Sequence, residues 1–182
     1  MDMSADHVRQ IVHRLRGRRD FILTTYPSLL EDLLLQAGTL GLDTSFRPAI
    51  IHCQSEELTL RQRQLFAEAF PEVPLLNEYG CVEVGGMAHS CPAGRLHPAH
   101  DHVVLEVVDD NGHPVRPGES GRILLTPLHA RLMPLLRYEV GDSARVASGP
   151  CSCGMFDGLP SLETIDGRTF QAIIDREGTR IS

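Results

Sequence analysis

The sequence predicts an α/β chain that turns β-rich after about residue 84, and three observations lead to that expectation. Apolar residues recur at helical spacing in the early segments, and short β-prone runs stand between them. Beyond Gly85 strand-like runs follow one another with only turn formers to join them.

Asp6 to Leu15 carries Val8, Ile11, Val12 and Leu15 on one helical face, and Gly17 ends it. The neighbouring Arg14, Arg16, Arg18 and Arg19 read as a solvated helix end or a local basic patch. Phe21 to Thr25 is β-prone. Pro27, placed at a first helical position, opens a second helix over Ser28 to Ala37, which Gly38 and Gly41 should terminate. Pro48 to Cys53 reads as a buried strand, Thr59 to Phe70 as a third helix, and Val73 to Leu76 as a lead into Asn77-Glu78-Tyr79-Gly80-Cys81-Val82-Glu83. The alternation implies at least some parallel pairing. In the second half Val103 to Val108 and Arg122 to Leu125 are strand-like, separated by the turn formers Asp110-Asn111-Gly112 and Pro117-Gly118. Leu135 to Tyr138 and Ala144 to Ala147 are two further β segments. Gly149 to Gly158 is a cysteine- and glycine-rich loop, and a hairpin turning at Arg176-Glu177-Gly178 closes the chain.

Composition excludes several classes. A length of 182 residues with 42% hydrophobic and 23% charged residues suits a globular domain with a real core. No apolar run approaches 18 residues, so no membrane helix is expected, and the polar N-terminus does not resemble a secretory signal. A net charge of −7 argues against a dedicated nucleic-acid binder. All 17 basic residues are arginine, which removes lysine as nucleophile, Schiff-base former or phosphate anchor. The five cysteines, an odd number without an export signal, fit a reducing cytoplasm and favour thiols or metal ligands over disulfides.

Five short motifs stand in order along the chain. They are Ser55-Glu56-Glu57-Leu58; Tyr79-Gly80-x-x-Glu83; Gly118-Glu119-x-Gly121-Arg122-x-Leu124-Leu125-Thr126; Pro134-x-x-Arg137-Tyr138-x-x-Gly141-Asp142; and Gly167-Arg168. Together they resemble the adenylate-forming (AMP-forming) ligases, nearest to phenylacetate–CoA ligases and coenzyme F390 synthetase-like proteins, over about residues 20 to 182. The resemblance implies a mixed sheet with helices followed by a β-rich subdomain, the central-to-C-terminal part of a ligase core. It implies that Tyr79 stacks on adenine with Gly80 beside it, that Asp142 accepts from the ribose hydroxyls, and that Arg168 lies near hinge and nucleotide. Glu83 would act catalytically by holding Mg²⁺, and Ser55 and Glu56 would border the adenine. These roles suit the chemistry: an aromatic face takes a base, a carboxylate takes a hard cation, and the cation neutralises phosphate charge. For Arg137 two roles stand open, orienting a substrate carboxylate or pairing with an acid of the core.

The chain also departs from that family's pattern. Val82 occupies the place of a Ser or Thr hydroxyl, and Thr169, Phe170 and Gln171 stand where an Asp pair marks the hinge. Nothing in residues 1 to 54 resembles the Ser/Thr/Gly-rich phosphate loop, and the lid lysine has no counterpart.

Cys91-x₅-His97 and Cys151-x-Cys153 form a second constellation, three thiols and an imidazole that would complete a structural Zn²⁺ site. Similar segments occur in the phenylacetate–CoA ligase-like group. His89, His100 and His102 are alternative imidazoles, while Cys53 and Cys81 read as buried small residues.

The expected organisation is an N-terminal helix over 1–20, a partial adenylation core over 21–166, and the start of a truncated lid over 167–182. The expected function is the middle of an ATP-dependent ligase that adenylates an aryl or arylacetic acid and passes the acyl group to coenzyme A, incompetent by itself. The alternatives are one subunit of a split ligase, with a separate polypeptide supplying the N-terminal half, or a non-catalytic zinc-stabilised module binding a nucleotide or a partner. An exposed apolar face would favour a homodimer.

Overall fold

The computed structural model describes residues 3–156 and 158–168, together with the backbone of 173–174 and 180–181. The expected hinge residues Thr169 to Gln171 and the turn at Arg176 to Gly178 lie outside the described residues. The chain divides between Glu78 and Tyr79 into two compact units. Among the described residues no helix is long and apolar enough to cross a membrane.

The first unit is a parallel three-stranded sheet with helices. Helix α1 (Ala5–Leu15) starts at Ser4, whose side chain accepts from the His7 N–H, and buries Val8 and Val12. It does not stand apart as a separate element: both valines join the core around Leu30, Ile51 and Phe66. Strand β1 (Ile22–Thr25) pairs with β2 (Ile50–Cys53), and β2 with β3 (Leu75–Cys81), all parallel. The β2 strand begins two residues later than expected, because Pro48 has no N–H to give a ladder. Alternation places Leu23 against the core while Ile22 is 68% exposed.

Helix α2 (Pro27–Thr39) has Pro at its start and runs through Gly38. The helix ends one residue later, at Thr39, and Leu40 and Leu42 just beyond it pack on the core. Helix α3 (Leu60–Ala69) opens with a full capping box: Thr59 takes the Gln62 N–H while Gln62 takes the Thr59 N–H.

The second unit is antiparallel. It contains β4 (Gly85–Ser90), β5 (Leu96–Pro98), β6 (Val103–Val108), β7 (Ser120–Pro127), β8 (Tyr138–Val146) and β9 (Leu162–Arg168). Their order is β4-β5-β9-β8-β7-β6, around a core of Met87, Val103, Ile123, Leu125, Ala144 and Leu162. A short pair, β10 (Ile173–Ile174) with β11 (Arg180–Ile181), follows. Position 166, the expected end of the core, falls inside β9.

Three strand expectations are corrected. The lead expected over Val73 to Leu76 is instead the strand β3, which starts at Leu75 and carries Asn77 to Cys81 within it. The two segments around Leu135 and Ala144 are replaced by one strand, β8, which starts only at Tyr138. Strands β4 and β5 had no sequence signal, because Gly85-Gly86-Met87-Ala88-His89-Ser90 lacks the β-branched alternation that marks strands. They form because Met87 and Ala88 are fully buried in the second core.

Candidate nucleotide site and cysteine–histidine cluster

A bulge in β8 sets the position of Asp142. Arg122 opposes Ser143, yet Leu124, only two residues on, opposes Glu139, so Val140, Gly141 and Asp142 face Ile123 alone. Gly141 takes φ +81°, a conformation that L side chains avoid, which explains the glycine before the aspartate. On its other side Asp142 lies in register with Arg168 of β9.

The Asp142 side chain is 12% exposed and both of its oxygens are engaged. The Tyr79 Oη donates to Oδ2 at 2.7 Å, and the Arg168 Nε lies 3.1 Å from Oδ1. Arg168 also donates from Nη1 to the Val140 carbonyl at 3.2 Å. Burial, followed by the bond to Asp142, pushes the Tyr79 phenol far above the ordinary tyrosine value, so it remains a donor. Tyr79, Asp142 and Arg168, 63 and 26 positions apart in sequence, therefore meet at one place. Each carboxylate oxygen keeps a second lone pair for an incoming hydroxyl.

A Cβ at Gly80 would stand 2.5 Å from the Gly85 carbonyl oxygen, so a glycine here lets β3 and β4 approach closely. Glu83 sits on the turn between those strands, beside a wholly exposed Val82. Its carboxylate accepts from the Tyr138 Oη at 3.0 Å. Its own backbone N–H first, then the Cys81 thiol and the Tyr138 phenol, hold the Glu83 carboxyl below the ordinary glutamate value. Glu83 is thus charged and accessible, as a cation ligand must be. Tyr138 is a site residue to which the sequence reading assigned no role, although it stands inside the Arg137–Asp142 motif.

In the first unit Ser55 has a left-handed backbone, φ +66°. Glu56 is engaged structurally: its two oxygens accept the Ser28 N–H at 3.0 Å and the Ser28 Oγ–H at 2.8 Å. It thereby caps the first turn of α2, whose own N-cap, Tyr26, offers no side-chain bond. Arg137 has partners within its own unit. It reaches Glu106 at 3.1 Å and the Gly112 carbonyl at 2.9 Å.

The second constellation converges. Cys91 follows β4, His97 lies in β5, and Cys151 and Cys153 come from the loop after β8. Their ligand atoms all lie within 4.8 Å of one another. The Cys91 and Cys151 Sγ atoms are 3.6 Å apart, as are the Cys153 Sγ and the His97 Nε2. Ordinary zinc bond lengths give tetrahedral edges of about 3.5–3.8 Å for such a set. The sulfur separation is far beyond the roughly 2.05 Å of a disulfide, and all five cysteines are free. Arg95 joins the two halves by donating to the Gly149 carbonyl at 2.9 Å. Phe156 stacks on the His97 ring at 4.5 Å. Burial, then Arg95 and His100, push the His97 imidazole down, toward the neutral form that ligates metals. His89, His100 and His102 are not in the cluster.

No family model matches the chain. A phenylacetate–coenzyme A ligase of Thermus thermophilus is 32% identical, over 60% of this chain and 32% of the relative. That of Escherichia coli K12 is 28% identical, over 86% of the chain and 36% of the relative. The chain therefore spans about a third of the length of the curated relatives it matches. A 2-hydroxyisobutyryl–CoA ligase, solved with 2-HIB-AMP and CoA, superposes with a TM-score of 0.75 at 18% identity, over 98% of this chain and 42% of that one. An anthranilate–CoA ligase in complex with anthranoyl-AMP gives 0.73 at 20% identity, over 99% and 36%.

Proposed function

We propose that this chain, related in sequence to the phenylacetate–coenzyme A ligases and sharing the adenylate-forming CoA-ligase fold, is the nucleotide-holding part of an AMP-forming acid–CoA ligase. The observation that supports this most directly is the meeting of Tyr79, Asp142 and Arg168 from three separate motifs. In the parent reaction a carboxylate oxygen attacks the α-phosphorus of ATP and pyrophosphate leaves. The thiol of coenzyme A then attacks the acyl carbon and AMP leaves. An aryl or arylacetic acid is the substrate class that the relatives suggest.

In this reading Asp142 takes the ribose hydroxyls, Arg168 neutralises the aspartate and flanks the nucleotide, and the Tyr79 ring faces adenine. Ser55 and Glu56 border the base, Glu56 also serving α2. Glu83 would hold Mg²⁺. An accessible carboxylate held in its charged form fits that ion. When bound, the cation neutralises phosphate charge; the chain itself binds and orients. The Cys91–His97–Cys151–Cys153 set would hold a structural Zn²⁺, supported by its donor chemistry and by the convergence of its four ligand atoms within 4.8 Å of one another. The free thiols suit a cytoplasmic setting.

Calorimetric titration with AMP tests the reading. Wild-type chain binds, and Asp142→Ala weakens binding by at least about tenfold, since hydrogen bonds to a charged group contribute about 1.5–3 kcal/mol. Equal affinity in wild type and variant would sink the assignment. A second reading, a zinc-stabilised nucleotide- or partner-binding module or a split-ligase subunit, is favoured by the exposed Val82 where the family has a hydroxyl. It is separated from the first by adding a polypeptide that carries a Gly/Ser/Thr-rich phosphate loop and looking for ATP–pyrophosphate exchange.

A further inference from the structure

We propose that His102 and Tyr138 are positioning residues that clamp the β3–β4 turn so that Glu83 is presented to a divalent cation. The inference rests on the nucleotide reading above and extends it to residues that neither the motifs nor the relatives assign.

The turn joins the hydrogen-bonded neighbours β3 and β4; Val84 N–H meets the Cys81 carbonyl at 3.3 Å inside it, and Val82 at its tip is wholly exposed. Two contacts from distant segments restrain it. The His102 Nε2 lies 3.0 Å from the Val84 carbonyl oxygen, 18 positions away. A carbonyl only accepts, so Nε2 carries the proton and donates. The Tyr138 Oη donates to Glu83 Oε1 at 3.0 Å, 55 positions away.

His102 is itself well placed to act as an anchor. Its backbone carbonyl accepts from the Leu128 N–H at 2.9 Å and its N–H donates to the Ala99 carbonyl at 2.8 Å. Its ring faces that of His129 at 6.1 Å, and the His129 Nε2 donates to the Asp101 carbonyl at 3.0 Å. The β5–β6 and β7–β8 loops thus lock His102, and His102 locks the turn. Between them lies a cavity of about 230 Å³ lined by Glu83, Val84, His102, Pro127, His129 and Ala130. A hydrated cation bound at Glu83 has room there for its waters, each needing about 30 Å³.

The test has a ligand-free arm and a ligand arm, with Tyr138→Phe, His102→Phe and His102→Gln. In the free protein, exchange of the Glu83 amide should quicken about fivefold in Tyr138→Phe, which removes the bond from Oη to the Glu83 carboxylate. Exchange of the Val84 amide should quicken about fivefold in His102→Phe, the equivalent of one hydrogen bond, and recover in part in His102→Gln, which keeps an N–H. With ligand, the gain in ATP affinity on adding Mg²⁺ should fall about three- to tenfold in Tyr138→Phe and His102→Phe. Unchanged exchange at the Glu83 and Val84 amides would overturn the positioning roles, whatever the nucleotide does. Wild-type chain that binds neither AMP nor Mg·ATP overturns the nucleotide reading instead, and the ligand-free arm still decides the clamp.

Discussion

At the scale of single residues, Glu83 shows how neighbours set a group's chemistry. The carboxyl is held below the ordinary glutamate value by the backbone N–H, the Cys81 thiol and the Tyr138 phenol. A lowered folded value means that the charge survives as pH falls past the ordinary glutamate value. What it stabilises is complete above the unfolded value and lost as pH falls through the folded one. The Mg²⁺-dependent part of nucleotide binding should therefore stay level from neutral pH to below the ordinary glutamate value, then drop. Titrations at stepped pH check this, and a midpoint at or above the ordinary value contradicts it. The sequence made Asp142 and Glu83 legible as acids in motifs. It could not show that a tyrosine holds each of them, because Tyr79 and Tyr138 reach across 63 and 55 positions.

At the scale of elements, helix starts and a metal-spaced hairpin make the sharpest claims. Thr59→Ala removes half of a capping box and should destabilise the first unit by about 1 kcal/mol, measured by urea unfolding. Glu56→Ala should fray the first turn of α2; if its contact with Ser28 is its whole role, AMP affinity will not move. A drop in AMP affinity at unchanged stability would support the second role proposed for Glu56, bordering the base. The β4–β5 hairpin carries Cys91 and His97, and the loop after β8 carries the other two thiols. Purified chain should contain about one zinc, and Cys151→Ser with Cys153→Ser should lose it together with much of the second unit's stability. Metal analysis and thermal melts decide. Helices and the valine-rich strands were readable because their periodicities are local. Strands β4 and β5 were not, because burial of Met87 and Ala88, rather than strand propensity, makes them form.

For the whole molecule, each unit has its own core, one around Ile51 and Phe66, the other around Ile123 and Leu125. Chelation should therefore lower the unfolding midpoint of the second unit while leaving the capping-sensitive transition of the first in place. Differential scanning calorimetry with and without EDTA reads both, and equal loss in the two would refute the assignment of metal to the second core. The 182-residue chain by itself should give no ATP–pyrophosphate exchange, since it carries no lysine and no phosphate-gripping loop; robust exchange would disprove that. Leu132, Met133 and Leu136 are all more than 60% exposed on one loop. If that loop drives a homodimer, light scattering should show a concentration-dependent mass that polar substitutions there abolish.

The sequence by itself determined the family resemblance, the helix positions, the turn from mixed to β-rich structure and the residue types available for each chemistry. Those are properties of neighbours along the chain, of spacing and of composition. Only the tertiary structure decided which side chains meet. It placed Arg168 and Tyr79 on Asp142, chose His97 from four candidate imidazoles, committed Arg137 to Glu106, and set Glu56 at the start of α2. Each of those contacts joins segments far apart in sequence, and their geometry follows from sheet register, a bulge at Gly141 and loop closure. No local pattern encodes these.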